Sequence, residues 1–190
     1  MYWFYEWFFP AIWLAYLVYW QIAAVHVKTT ERLEPAVSRA LRSILFLAAI
    51  VLLLDNHLPW PWLYGNFIPV TLWSFWVGAA ITIAGLLFAV WARVHIGTNW
   101  SRSVTIKRDH ELITSGPYAV VRHPIYTGIL IGFLGTAIAT TQYRGILAFL
   151  LVFFSLWYKL RLEEKWMLAQ FGPAYTDYAR RTSALVPGIL

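Results

Sequence analysis

The run Ser115 to Gly128 sets Tyr118, Arg122, His123 and Tyr126 among two prolines and two glycines. It stands where a polar, basic segment meets a long apolar run. Opening a membrane helix requires none of this chemistry. An arginine and a histidine beside aromatic faces suit a small charged ligand held at a membrane surface. A second cluster follows at Lys159, Arg161, Glu163 and Glu164. A carboxylate there can receive an ammonium group or ribose hydroxyls. On a helix Lys159 falls one turn before Glu163 and shares its face. Arg161 lies about 200° away from Glu163 around a 3.6-residue turn.

Each of these residues also has a plain structural reading. Arg122 can be a topology signal, Tyr126 an interfacial aromatic, and the Glu163-Glu164 pair a solvated helix face. His123 is harder to dismiss, because topology does not call for histidine. His95 stays open between the two readings. His26 and His57 read as interfacial residues. His110-Glu111 is not followed by a second histidine at helical spacing, so it is no zinc motif. Five scattered histidines and no cysteine make a poor metal-ligand inventory. No Ser-His-Asp arrangement is visible. No G-x-G-x-x-G string and no βαβ pattern occur, which excludes a Rossmann nucleotide site.

The elements that must position these residues are apolar helices. The chain is 60% hydrophobic and 13% charged, against about 25% charged residues in soluble domains. Its twelve Trp, eleven Tyr and twelve Phe suit membrane interfaces. Trp7 to Val27 carries no Asp, Glu, Lys or Arg and spans about 30 Å as a helix. Further spans are expected over Val37 to His57, Val70 to Ala92 and Ile125 to Tyr143. The fifth begins at Gly145 to Tyr158 and runs on as an amphipathic stretch, Lys159 to Phe171. Arg39 and Arg42 are expected to snorkel at the start of the second span. Pro124 fits the first turn of the fourth helix. Gly128 and Gly132 form a small-xxx-small spacing that permits close helix packing. Gly172-Pro173 stops the fifth helix, and Ala174 to Arg181 forms a last short one.

The 190 residues read as one membrane domain, with residues 1–92 forming three spans and residues 93–190 carrying the chemistry. Met1 to Glu6 lacks the basic n-region and cleavage site of a signal peptide. The net charge of +6 is distributed between apolar runs and forms no patch, so a nucleic-acid role is not expected. All Lys and Arg except Arg144 fall in the first loop, the third loop or the C-terminal segment. By the positive-inside rule those segments are cytoplasmic and the N-terminus is outside.

The motif at Gly116-Pro117-Tyr118, Arg122-His123-Pro124, Tyr126 and Gly128, followed by Glu163-Glu164, Phe171-Gly172, Tyr175 and Tyr178, resembles the isoprenylcysteine carboxyl methyltransferase family. It is also similar to the related phospholipid N-methyltransferases. The similarity covers roughly Ile96 to Pro187. The resemblance implies an all-α integral membrane protein of about five transmembrane helices. A cytoplasmic loop and the C-terminal helix would form a pocket for S-adenosylmethionine, the methyl donor. By position the resemblance assigns His110, Glu111, Leu112, Ile113, Tyr118, Arg122, His123, Pro124, Ile125, Tyr126 and Glu163 to that cofactor, with Thr105 at the edge of the set. It assigns the acceptor to Lys159 or Arg161. The acceptor would be lipophilic or lipid-anchored. Carboxyl O-methylation and phospholipid N-methylation compete. An NADPH-dependent reductase of the sterol-reductase type and a non-catalytic scaffold stand as the other readings. The oligomeric state is not legible.

Overall fold

A computed structural model describes residues 2–24, 30–33, 35–55, 57–100, 105–107 and 111–189. Among the described residues the fold is all-helical apart from one short ladder. Six helices follow in order: α1 (Tyr2–Ala23), α2 (Ala36–Leu54), α3 (Leu72–Ile96), α4 (Pro124–Thr140), α5 (Tyr143–Phe171) and α6 (Pro173–Arg181). Among the described residues α2, α3 and α5 are long and apolar enough to cross a membrane, and α4 is a shorter apolar helix. At 22 residues α1 is long enough as well.

Local sequence explains the ends. Thr71 caps α3: its hydroxyl accepts from the Ser74 N–H at 3.0 Å while the Ser74 hydroxyl accepts from the Thr71 N–H at 3.0 Å. That reciprocal cap starts α3 at Leu72, two residues past the expected Val70, and the helix continues to Ile96. Arg93 therefore belongs to α3 and not to the polar loop. Pro124 occupies the first turn of α4, as expected, and Thr141 closes it at φ 61°. Gly172 at φ 52° ends α5, and Pro173 opens α6.

The tightest packing joins α3 to α4, through glycines seven apart on each helix. A Cβ at Gly128 would come within 2.4 Å of the Gly85 carbonyl oxygen, and one at Gly135 within 2.5 Å of the Thr82 nitrogen. The seam thus runs through Gly128 and Gly135 against Gly85 and Gly78, a longer pattern than the Gly128/Gly132 pair noted in sequence. Gly135→Ala is expected to push the two backbones apart and to destabilise the protein by about 1–3 kcal/mol, as overpacking does. Thermal unfolding in detergent checks this.

Next to that seam a buried polar trio ties three helices. Trp13 Nε1 donates to Thr136 Oγ1 at 3.1 Å, and the Thr82 and Thr136 hydroxyls lie 3.2 Å apart. At the far end Arg144 donates to Gln142 Oε1 at 2.6 Å and to the Asp55 carbonyl, pinning α5 to the end of α2.

One element was not expected. Residues of the first and third loops pair as an antiparallel ladder, β1 (Thr30–Leu33) with β2 (Thr105–Lys107). The strands are only four and three residues long, too short for alternation to stand out in sequence. The ladder brings the two basic loops together at one end of the bundle.

Candidate functional site

At that same end the N-terminus of α4 meets the charged half of α5. Beyond Tyr158 the apolar character of α5 gives way to Lys159, Arg161, Glu163, Glu164 and Lys165. Tyr126 lies in the first turn of α4, and its hydroxyl donates to Glu163 with both carboxylate oxygens at 2.7 Å. The His123 ring stacks on Tyr126 with centroids 5.3 Å apart and planes within 5°. Its Nδ1 is 3.6 Å from Glu163 Oε2. Lys159 Nζ is 3.7 Å from Glu163 Oε1 and 5.1 Å from the Tyr126 ring centroid. Three groups, two at the start of α4 and one on α5, thus converge on one carboxylate.

Glu164 serves a different partner. Arg122 Nε donates to Glu164 Oε1 at 2.7 Å, and its Nη1 donates to the carbonyls of Ala179, at 3.1 Å, and Thr182. Burial alone would push the Glu164 carboxyl up. His123 and Arg122 more than offset that and hold it at about 2. Glu164 is therefore a fixed anion that anchors Arg122. His123 Nε2 lies 3.5 Å from Glu164 Oε1, outside hydrogen-bond geometry, and is buried with no hydrogen-bond partner among the described residues.

The C-terminal segment closes the site from below. The Arg122 and His123 N–H groups donate to the carbonyls of Ser183 and Ala184 at 2.9 and 3.0 Å. Thr127 Oγ1 donates to the Leu185 carbonyl at 2.8 Å. Tyr178 of α6 donates to the Tyr118 carbonyl at 2.6 Å. Burial pushes the Tyr178 phenol up to about 12, against the pull of Arg122. Tyr118 is buried in a 3-10 turn, Gly116–Ala119. Burial, and then the negative charge of Glu163, push its phenol well up, so it stays neutral. Gly116, at φ +59°, fits under the His95 ring, where a Cβ would lie 2.7 Å from the imidazole. His95 Nε2 is 2.9 Å from Ser115 Oγ, and the ring stacks on Tyr118 at 6.4 Å. His95 is thus a packing partner of the turn that carries Tyr118.

Of the residues singled out in sequence, the fold brings His123, Pro124, Ile125, Tyr126, Lys159 and Glu163 together around the α4 N-terminus. Leu112 and Ile113 are half-buried just ahead of the Tyr118 turn, and Glu111 is exposed. Arg122 is engaged with Glu164 and the C-terminal segment. Arg161 is exposed and turned away, its guanidinium 5.9 Å from the Trp157 ring. Thr105 lies in β2 opposite Leu33. His110 lies outside the described residues. The docked segment Ser183 to Leu185 was missed. Its signal was the short apolar string Ala184-Leu185-Val186 between Thr182-Ser183 and Pro187, with Leu185 1% exposed. Among the described residues no three His, Asp or Glu side chains group as a metal site.

Comparison with known proteins places these observations. A family model for phospholipid methyltransferases matches residues 73–174, from the start of α3 to the start of α6. The chain is 35% identical over 115 residues to the cobalt-zinc-cadmium resistance protein CzcN of Cupriavidus metallidurans, covering 59% of this chain and 51% of that protein. It is 38% identical over 101 residues to protein-S-isoprenylcysteine O-methyltransferase of Schizosaccharomyces pombe, covering 50% of this chain and 42% of that one. The chain spans about half the length of the curated relatives it matches. Its fold is similar to the solved eukaryotic intramembrane Ras methyltransferase ICMT, with a TM-score of 0.58 at 23% identity over 80% of this chain and 52% of that one. That likeness makes the fold a multi-pass membrane bundle.

Proposed function

The chain belongs to the phospholipid methyltransferase family, and from that premise we propose that it is an S-adenosylmethionine-dependent membrane methyltransferase whose lipophilic acceptor is methylated on a carboxylate. The observation that carries this reading is the convergence of His123, Tyr126 and Lys159 on Glu163.

The donor set fits the cofactor. Glu163 offers a carboxylate for its ammonium group. The buried His123 Nε2 makes no hydrogen bond among the described residues, which leaves it a donor or acceptor for a ligand group. The faces of Tyr118 and Tyr126 suit an adenine ring and a sulfonium cation. Leu112 and Ile113, with Pro124 and Ile125, supply apolar wall. Glu111, His110 and Thr105 belong to the same assignment through the resemblance alone. Arg122 acts through Glu164 and the chain end, as a positioning residue. When bound, the cofactor supplies an electrophilic methyl group.

The protein's own part is orientation and charge. In-line transfer needs proximity and alignment more than a proton relay. A carboxylate acceptor is already an anion at neutral pH and needs no base. Lys159 is 9% exposed and shares a helix face with Glu163, so it is the cation suited to hold that acceptor as a point charge. Arg161 faces the other way. By the positive-inside rule the basic loops favour the cytoplasmic side for this end of the bundle and the C-terminal segment.

Purified protein is expected to bind S-adenosylhomocysteine saturably and not NADPH. With labelled S-adenosylmethionine and host membrane extract, label is expected to leave as methanol on base treatment, as a methyl ester requires. Base-stable label in lipid would shift the reading to N-methylation. NADPH binding would shift it to a reductase, and binding of neither cofactor to a scaffold.

A further inference from the structure

Two side chains of the last turn of α3, Arg93 and His95, hold the chain that follows at two places. Residues two apart on a helix lie about 200° apart around it, so the two reach different neighbours. Arg93 turns inward and is 6% exposed. Its Nη1 donates to the Gly97 carbonyl at 2.9 Å, and its Nη2 donates to the carbonyl of Ala23, the last residue of α1. Its Cζ lies 4.6 Å from the centroid of the Trp100 ring. The Trp100 N–H donates to the same Gly97 carbonyl at 3.3 Å. Trp20 of α1 meets the Trp100 ring edge-on, with centroids 5.6 Å apart. His95 faces the other way, with Nε2 2.9 Å from Ser115 Oγ and its ring against Gly116 and Tyr118.

A basic residue at the end of a span is ordinarily a topology signal. Such a signal has no need of burial, and Arg102, Lys107 and Arg108 follow in the sequence to serve that purpose. Arg93 is instead buried on two carbonyls. Both belong to helix ends, where carbonyls lack partners within the helix and the dipole favours a cation. Its Nε is buried and makes no hydrogen bond among the described residues. A guanidinium that forgoes one bond to make two others is held where Ala23, Gly97 and Trp100 require it. Its charge also pulls the Tyr118 phenol down, against the rise caused by burial and by Glu163. Arg93 is therefore near the candidate site as well as the end of α1.

We infer that Arg93 and His95 are positioning residues that fasten both ends of the third loop to one turn of α3, Arg93 at Trp100 and His95 at Ser115 to Tyr118. Arg93 also ties the end of α1 into that turn. Between the two fastenings lie Thr105, His110, Glu111, Leu112 and Ile113, the loop residues that the resemblance assigns to the cofactor. A loop held at both ends has fewer conformations to lose when a ligand orders it. The fastenings thus act on affinity through the loop. That effect on the cofactor rests on the methyltransferase reading; the fastening itself does not.

The test uses full-length protein in phosphatidylcholine nanodiscs, with S-adenosylhomocysteine as ligand and amide hydrogen exchange as a readout that needs no ligand. Arg93→Met is expected to speed exchange about tenfold over residues 20–24 and 97–100, and His95→Ala over residues 115–121, the scale of one lost hydrogen bond. Exchange along the α3–α4 seam is expected to stay as it is. Calorimetric titration is expected to give a Kd about tenfold weaker in each variant, with the number of binding sites unchanged. A purely structural role would lower the number of sites and leave Kd as it was. Arg93→Lys is expected to recover part of the loss, since a point charge reaches one carbonyl and not two. Unchanged exchange in these segments, or unchanged Kd, overturns the proposal, and so does a loss of sites without a change in Kd. Should Arg93→Met fail to fold, His95→Ala decides, because His95 is exposed. If the unaltered protein binds no S-adenosylhomocysteine, the methyltransferase reading falls and the exchange result alone judges the fastening.

Discussion

Glu163→Ala is expected to weaken S-adenosylhomocysteine binding by about 10–100-fold and to reduce methyl transfer at least as much. The carboxylate takes the Tyr126 hydroxyl on both oxygens and faces Lys159 and His123 within 3.7 Å. Removing it leaves a buried phenol without its acceptor and a lysine and histidine without their anion. One charge-assisted hydrogen bond is worth about 1.5–3 kcal/mol, and each 1.4 kcal/mol is about tenfold in affinity. Glu163→Gln keeps an acceptor for Tyr126 and loses only the charge, so its loss isolates the ammonium contact. Calorimetric titration of both variants measures this. Undiminished affinity in Glu163→Ala would remove the pocket assignment.

Arg122→Ala is expected to destabilise the C-terminal segment by about 3–5 kcal/mol, the scale for breaking a largely buried ion pair from one side. Its guanidinium is 13% exposed and Glu164 19%. The substitution removes the 2.7 Å hydrogen bond to Glu164 and frees the carbonyls of Ala179 and Thr182. Arg122→Lys is expected to restore little, because a point charge cannot serve Glu164 and two carbonyls from one fork. Removing both charges together, as in Arg122→Met with Glu164→Leu, is expected to cost less than Arg122→Ala alone. Thermal unfolding in detergent, with limited proteolysis after α6, measures each variant. Equal stability of Arg122→Ala and the unaltered protein would show that Arg122 does not hold the chain end.

Several parts of this arrangement were legible before any tertiary contact. Pro124, Gly172 and Pro173 stand where helices start and stop, because a missing N–H and a positive φ act on the residue itself. The 3.6-residue turn set Lys159 beside Glu163 and Arg161 away from it, and the side chains follow. Other parts were not legible. Arg122 read by itself first as a topology signal and second as a ligand contact, and the fold gives it a third use, with Glu164 42 residues away. Gly78 carried no mark of its own. Its importance comes from Gly135 on the neighbouring helix.

The amino-acid sequence by itself determined the apolar helices, the start of α4, the stop of α5 and the end of the bundle that carries charge. Each is a property of one stretch of about twenty residues meeting a bilayer or of one residue's own backbone. Only the tertiary structure decided which glutamate faces the cluster and which anchors Arg122. It alone docked Ser183 to Leu185 beneath α4, paired β1 with β2, and set Arg93 against the end of α1. Those choices join residues tens of positions apart, and they follow from which helix faces close-pack, a relation that no single stretch contains.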